Sequence, residues 1–304
     1  MTTNITTIGA SGDYATIAAW LADTDGDLVT DERIEIGEII DAVEFEETLT
    51  LSGATTDTSF YRWLRARSDV RWNQVAGTGA YITGSIDASG EDAFRITGLK
   101  LVNDDTGSSI IFTSNSRMEA MTVVDTTGTG IVVDNDAADG TCSAQGCILI
   151  GGEGGEGGGP NVGFSDDFGE IVGCTVFGVD NGSGDGTGVG SGNSSFGVAS
   201  ANCVVDFDTP VGANLVSVDA TAAAIPGGTA SIAPGDIFVN PATLDLRPLP
   251  AGPLDAATVF VPGPKPDIVD LPPHNLNERI EAASPWMGYD DPDSRLSGYT
   301  WAWT

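Results

Sequence analysis

The sequence predicts an all-β fold, a single-stranded right-handed parallel β-helix in which the chain winds into stacked coils. A short apolar motif recurs five times between residues 98 and 206, and the segments between its copies are rich in Gly, Asp, Ser and Thr, which disfavour helices. The second residues of the five copies lie 22, 26, 27 and 29 residues apart; they are Leu99, Met121, Cys147, Cys174 and Cys203. A period in this range, punctuated by glycine, is typical of a solenoid.

These five residues are predicted to form one internal column. Stacked coils place equivalent side chains about 4.8 Å apart, which is the ordinary spacing of paired strands. Three of the four cysteines share this position, where a small and soft side chain packs well, so we expect free buried thiols. Cys142 and Cys147 have the wrong spacing for a C-x-x-C metal motif. A disulfide between stacked neighbours remains the alternative.

The chain divides into three predicted regions: an N-terminal lead and capping helix at 1–28, the parallel β-helix at 29–256, and a C-terminal arm at 257–304. In the first region, Ser11 to Asp13 offers N-cap oxygens for a helix with the apolar face Tyr14, Ile17, Ala18 and Leu21. Such a helix is expected to cover the bare sheet edge at the end of a solenoid. Five prolines between 262 and 273 predict that the arm cannot continue the coil.

Both ends of the solenoid resemble β-helix proteins of tailed phages and prophages, which are pectate-lyase-like in fold. The segment from Ile8-Gly9 through Asp13-Tyr14 to Trp20 is similar to their opening phrase T-I-G-x-x-G-D-Y-x-T-[IL]-x-x-W. The segment from Phe238-Val239-Asn240-Pro241 to Asp255-Ala256 looks like their terminal phrase F-x-[ND]-P-x-x-x-D-[FY]-R-L-x-x-x-S-P-[AL]-I-D-A-G. Gly252 stands where that phrase has Ser, and Ala257 where it has its last Gly. The resemblance implies the fold and a phage origin.

The charge of the chain excludes one class of partner. With 44 acidic and 12 basic residues, the formal net charge is −32. Such a surface repels nucleic acid, so neither DNA nor RNA is expected as a partner, and a solvated acidic coat that maintains solubility is the favoured interpretation. No basic leader and no long apolar run is visible, so we expect a protein made in the host cytoplasm that has no contact with membranes.

The sequence contains no clear signal of catalysis, and it predicts no catalytic residues, no metal site and no cofactor. A glycosidase on this fold needs carboxylates on neighbouring coils, about 5 to 9.5 Å apart. The candidates are Asp104, Asp105, Asp125, Asp134, Asp136, Asp166, Asp167 and Asp180. Aspartate is also an ordinary turn residue. Residues 101–246 contain Arg117 as their one basic residue and neither Trp nor Tyr, which argues against a lyase base or a sugar platform there.

Two groups of residues are candidates for binding. Arg62, Arg65, Arg67 and Arg71, interleaved with Trp63 and Trp72, suggest a strip for an anionic or sugar partner, although outward arginines paired with carboxylates are the favoured interpretation. The end of the chain is unusually aromatic. Its residues, which either fold back as a cap or dock on a partner or sister subunit, are Trp286, Met287, Tyr289, Tyr299, Trp301 and Trp303.

The resemblance and the composition together indicate a function. We expect a non-enzymatic structural protein of the virion that decorates or cements the capsid exterior, with the major capsid protein or another virion protein as its partner. The chain is a candidate for homotrimer formation. The competing hypothesis is a tail spike that binds or depolymerises the polysaccharide of the host surface.

Overall fold

The computed structural model describes residues 1–73, 77–104, 107–126, 131–136, 141–145 and 147–151, together with nine further strands between 162 and 248. In this part of the chain, strands alternate with turns, and there is one α-helix, α1 (Ile17–Asp23). This helix is too short to cross a lipid bilayer, and no other helix of the described residues has the length and apolar character to do so.

The strands are short, as expected for a chain that changes direction after every few residues. In the first half they are β1 (Thr2–Ile8), β2 (Gly26–Asp27), β3 (Arg33–Ile39), β4 (Glu44–Glu46), β5 (Leu49–Thr50), β6 (Ala54–Thr55), β7 (Arg62–Ala66), β8 (Tyr81–Thr83), β9 (Ile86–Asp87), β10 (Phe94–Thr97), β11 (Lys100–Asn103), β12 (Ile110–Phe112), β13 (Arg117–Glu119), β14 (Thr122–Asp125) and β15 (Ile131–Asn135). In the second half they are β16 (Ser143–Gln145), β17 (Ile148–Gly151), β18 (Val162–Phe164), β19 (Glu170–Val172), β20 (Thr175–Phe177), β21 (Thr187–Val189), β22 (Val198–Val205), β23 (Thr209–Val211), β24 (Val216–Asp219), β25 (Phe238–Asn240) and β26 (Asp245–Pro248).

Apart from β25 with β26, the paired strands are parallel, and most partners lie about one repeat apart in the sequence. A 15-stranded sheet has the order β1-β3-β7-β10-β13-β16-β19-β22-β20-β17-β14-β11-β8-β4, with β24 also on β22. A seven-stranded sheet has the order β23-β21-β18-β15-β12-β9-β5. Among the described strands, β25 with β26 is the one antiparallel pair. The predicted strand-rich fold of parallel sheets is therefore confirmed.

Three strands recur in each repeat, for example β10, β11 and β12, then β13, β14 and β15. Leu101 pairs with Val123, Val123 with Leu149, and Leu149 with Val176. The side chains of the first three are fully buried. On the other sheet, a second buried row consists of Leu49, Ile86, Ile110, Val133 and Phe164. Because side chains alternate between the two faces of a strand, these rows form one apolar core between the sheets.

Strand register locates four of the five residues of the predicted column. Leu99, Met121 and Cys147 precede the paired residues at the starts of β11, β14 and β17, and all three are buried. The Leu99 N–H lies 3.4 Å from Met121 Sδ, and Cys147 Sγ lies 3.7 Å from Met118 O. Cys174 lies outside the described residues. Cys203 pairs with Thr175, which in turn pairs with Ile148.

Cys203 is therefore one residue away from the predicted column. The register aligns Val204 with Val176 in the row that continues Leu149 and Val123, so this coil is 28 residues long by register instead of 29. A shift of one residue exchanges the two faces of a strand. The run Cys203-Val204-Val205 is apolar at each position, so its pattern alone does not fix the register.

Helix α1 begins later than predicted. Thr16 is its N-cap, and Thr16 Oγ1 accepts from the Ala19 N–H at 3.1 Å. Asp13 accepts hydrogen bonds from the backbone N–H and hydroxyl of Thr7 instead of capping the helix. With this start, the buried face is Ile17, Trp20 and Leu21, and Ala18 is exposed. The predicted face containing Ala18 is wrong because the helical period was counted from Tyr14, which lies before the helix.

The buried face of α1 packs on the first coils. A Cβ atom on Gly37 would lie 2.7 Å from the Trp20 ring and 2.8 Å from Ile8 Cδ1, so Gly37 leaves the space that the indole fills. The carboxylate of Glu47 accepts from the N–H groups of Ile17 and Ala18, at 3.0 and 2.7 Å. These two bonds satisfy donors that a helix N-terminus otherwise leaves unpaired.

Candidate functional site

The predicted arginine–tryptophan strip divides into an inner and an outer part. Because β7 alternates between faces, Arg62, Leu64 and Ala66 share the inner face, and Trp63 and Arg65 share the outer face. Arg67 and Arg71 follow in the next loop, where Arg67 forms an exposed ion pair with Asp69 at 2.6 Å. Four arginines close together in sequence therefore have different environments.

Arg62 is the inward member, and it is buried. Its guanidinium forms two hydrogen bonds with the carboxylate of Glu91, one of them from Nε at 3.0 Å, and Nη1 donates to Leu21 O at 2.6 Å. Nη1 also lies 3.2 Å from Asp25 Oδ1. Paired in this way, a buried guanidinium links α1 to the coils and does not bind a partner. The prediction that all four arginines point outward is thus wrong for Arg62.

On the outer face, β3, β7 and β10 hold a second apolar cluster, which contains Ile36, Tyr61 and Trp63. Arg65 Cζ lies 4.9 Å from the centroid of the Trp63 ring, and Arg95 Cζ lies 3.6 Å from that of Tyr61. Trp63 Nε1 donates to Thr97 Oγ1 at 2.9 Å. The two aromatic residues and the two arginines are all buried, so the arginines cover the aromatic rings on this face. Arg65 also pairs with Glu38 at 2.6 Å, as predicted for an outward arginine.

A different arrangement lies beside β8 and β11. Lys100 pairs with Tyr81 across these strands, and the Lys100 ammonium lies 4.5 Å from the centroid of the Trp72 ring and 5.9 Å from that of Tyr81. The two rings meet edge to face at 5.8 Å and 67°. All three side chains are partly exposed. Burial lowers the pKa of the Lys100 ammonium.

Arg71 belongs to the same surface. The backbone N–H of Trp72 donates to Gly98 O at 3.1 Å. This hydrogen bond holds the loop after β7 against the segment that precedes β11. Gly98 has φ +73°, and a Cβ there would lie 3.0 Å from Arg71 Cγ, so the Arg71 side chain runs directly across it. Arg71 Nε is buried without a hydrogen-bond partner. We call Arg71, Trp72, Tyr81 and Lys100 the Lys100 cluster.

One carboxylate borders the Lys100 cluster. Glu44 accepts hydrogen bonds from Thr83 Oγ1 at 2.6 Å and from the Tyr81 hydroxyl at 2.8 Å. These bonds, first that of Thr83 and then that of Tyr81, lower the pKa of Glu44, and the bond to Glu44 raises the pKa of Tyr81. Glu44 therefore orients the Tyr81 ring without forming an ion pair with Lys100. The predicted strip contained Arg71 and Trp72 but not Tyr81 and Lys100, although a rare lysine in an acidic chain was a signal.

The described candidate carboxylates differ in sheet and in exposure. Asp125 is 2% exposed and is paired in register with buried Asn103 at the end of β11. Asp134 lies in the other sheet, paired with Ile111. Asp104 and Asp136 are exposed. Asp105, Asp166, Asp167 and Asp180 lie outside the described residues.

The other candidates divide between buried thiols and residues outside the described part. Cys142 and Cys147 are buried and lie outside any disulfide, and Cys142 Sγ lies 2.7 Å from Thr113 O. Within the described residues, no three His, Cys, Asp or Glu side chains come together as metal ligands. The six C-terminal candidates, Trp286, Met287, Tyr289, Tyr299, Trp301 and Trp303, lie outside the described residues.

Comparison with known proteins adds no relative: no family model, no curated protein and no solved structure matches the chain.

Proposed function

We propose that the chain is a right-handed parallel β-helix that serves as a non-enzymatic structural protein of a tailed-phage virion, located on the capsid exterior as a decoration or cement protein. Coils that repeat one register along two sheets form a stiff body, which suits a protein that reinforces a shell. A right-handed crossover is the rule for parallel strands of one sheet.

The observation that carries this proposal is the structural role of the phage-like opening phrase. Gly9 N–H donates to Tyr14 O at 2.9 Å, and a Cβ on Gly12 would lie 2.7 Å from Thr7 O. Asp13 holds the backbone of Thr7, and Trp20 fills the space above Gly37. The residues that resemble the phage phrase thus build the junction of β1 and α1, which supports a common design and a capping role for α1.

The placement of the polar residues supports a non-enzymatic role. Asp125 is paired in register with a buried asparagine in the 15-stranded sheet, whereas Asp134 lies in the seven-stranded sheet. Arg62 forms a buried ion pair with Glu91. A depolymerase activity of the full chain that is abolished by changing a pair among Asp104, Asp125 and Asp134 would overturn this part of the proposal.

The proposed partner is the major capsid protein or another virion protein, with a homotrimer as the proposed oligomer. Aromatic residues are the usual anchors of such interfaces, and the proposed arm at 257–304 carries six large apolar candidates. Deletion of residues 286–304 should then abolish attachment to particles while the remaining protein stays folded. Attachment that is unchanged by the deletion would mean that the segment is only a cap.

One observation favours the tail spike as a second candidate. The Lys100 cluster presents two partly exposed aromatic rings beside a cation, a combination that suits a sugar of the host surface. The two locations differ in stoichiometry, since a decoration protein covers the capsid and a spike occupies a few sites at the tail.

The deciding experiment is quantitative mass spectrometry of purified particles from cells that encode this chain. A copy number comparable to that of the major capsid protein is expected. A small number that copurifies with tail proteins would establish the spike instead, and absence from the particles would overturn both candidates.

A further inference from the structure

Two cations of the Lys100 cluster differ from four arginines that lie on β3, on β7 and just after β7. Arg33, Arg62, Arg65 and Arg67 each lie within ion-pair distance of a carboxylate. Arg71 and Lys100 form no ion pair with any described residue, although the chain carries 44 acidic residues.

The surroundings of Lys100 favour an added anion. Its ammonium has exchanged part of its water for the faces of Trp72 and Tyr81, and burial is the one cause that shifts its pKa. A carboxylate bound there would restore the lost solvation and would form charge-assisted hydrogen bonds, which are about twice as strong as neutral ones. Arg71 precedes Trp72 in the chain, and its side chain crosses Gly98, two residues before Lys100, so it adds a planar guanidinium to this surface.

We propose that the Lys100 cluster is a binding site for a carboxylated sugar, such as a uronic acid unit of an acidic glycan. The ammonium of Lys100 and the guanidinium of Arg71 bind the carboxylate, and the apolar C–H face of the pyranose ring packs on Trp72 and Tyr81.

The net charge of the chain limits the charge density of a ligand that it can bind. At −32, the protein repels polyanions with a high charge density, which argues against nucleic acid. A uronic acid carries one charge per ring and offers apolar surface to the aromatic side chains, so short-range contacts offset the long-range repulsion. Glu44 is held by Thr83 and Tyr81 and can accept hydrogen bonds from sugar hydroxyls on the far side of Tyr81.

The test measures binding of trigalacturonic acid to the full-length protein by isothermal titration calorimetry and by tryptophan fluorescence. The fully methyl-esterified trimer, which has the same rings without the charge, is the control ligand. We expect the acid to bind at least about tenfold more tightly than the ester, since hydrogen bonds to charged groups are stronger than those between neutral groups.

Three variants locate the site. Lys100→Met should weaken binding of the acid about tenfold or more, whereas Lys100→Arg, which keeps the charge, should retain most of the affinity. Arg117→Met removes the same charge from the other half of the 15-stranded sheet and should leave the affinity unchanged. Near-ultraviolet circular dichroism verifies that each variant is folded.

Three results would overturn the proposal: no binding of the acid at millimolar concentration, equal binding of acid and ester, or equal loss of affinity in Lys100→Met and Arg117→Met. The test uses the isolated protein, so its outcome does not depend on where the protein lies in a virion. If Lys100→Met does not fold, Lys100→Arg with the ester control still decides between charge recognition and simple ring packing.

Discussion

At the scale of single residues, the fold depends on polar groups that are paired across coils. Arg62 and Glu91 are 29 residues apart in sequence, and their side chains are 1% and 0% exposed. A buried charge is tolerated where a partner of opposite sign and further hydrogen bonds replace its water. Leu21 O, Thr24 and Asp25 supply the additional contacts of this guanidinium.

Removing one member of this pair should therefore destabilise the protein severely. Glu91→Ala leaves the Arg62 charge buried beside an empty site and is expected to lower the free energy of unfolding by about 3–5 kcal/mol. Urea denaturation measures the change. The double variant Arg62→Met, Glu91→Leu is the control, and it should be more stable than Glu91→Ala. A double variant less stable than the single one would contradict this account.

Tyr14 provides a pH-dependent signal. Its hydroxyl donates to Asp23, and this hydrogen bond, with burial and the negative charge of Asp23, raises the pKa of Tyr14 from 10.0 to about 12. Between these two values the unfolded chain loses the proton and the folded chain keeps it. The stabilisation is therefore complete below pH 10 and is lost as the pH rises through about 12.

A spectrophotometric titration of phenolate, taken as wild type minus Tyr14→Phe, should show a midpoint near 12. Asp23→Asn should move that midpoint back towards the ordinary tyrosine value, because the carboxylate acceptor and its charge are gone. Asp92→Asn, a change at an exposed position that does not contact Tyr14, is the matched control and should leave the midpoint in place. An unshifted midpoint in Asp23→Asn would exclude Asp23 as the cause.

At the scale of elements, α1 is held at both ends. Thr16 and Glu47 bond its N-terminal N–H groups, and Arg62 donates to the carbonyl of Leu21 near its C-terminus. A helix of seven residues is marginal alone in water, so packing and these bonds decide whether it forms.

Glu47→Ala should consequently destabilise α1. Losing a side chain that caps the helix N-terminus costs about 0.5–2 kcal/mol. The change is measured as a loss of unfolding free energy in urea, with faster hydrogen exchange of the Ile17 and Ala18 amides. Glu46→Ala, at the exposed neighbouring position, is the control and should have a small effect. Equal exchange in both variants would rule out the capping role of Glu47.

At the scale of the whole molecule, the net charge of −32 opposes compaction. Added salt screens this repulsion over a Debye length of about 10 Å at 0.1 M, and it also weakens exposed ion pairs such as Arg67 with Asp69. Exposed pairs contribute about 0–1 kcal/mol each, so the repulsion should dominate.

The free energy of unfolding should accordingly rise when NaCl is increased from low concentration to the physiological range. Urea denaturation at a series of NaCl concentrations checks this, and KCl at equal ionic strength should give the same values if screening is the cause. A stability that falls with salt would mean that ion pairs outweigh the net repulsion.

The sequence by itself determined that the chain forms many short strands in parallel sheets. Each coil needs a similar length of chain and the same order of apolar and turn residues, so a stacked fold imposes a period that is visible along the sequence. The positions of Leu99, Met121 and Cys147 follow from that period because each precedes the same strand of successive coils.

Only the tertiary structure decided the register at Cys203, the inward direction of Arg62 and the assembly of the Lys100 cluster. An apolar run fits either face of a strand, so pairing with Thr175 and Val176 had to fix Cys203 and Val204. The direction of Arg62 depends on Glu91 in the next coil. Trp72 and Lys100 come into contact because neighbouring repeats stack on each other. They are distant in sequence, so no local sequence pattern predicts this contact.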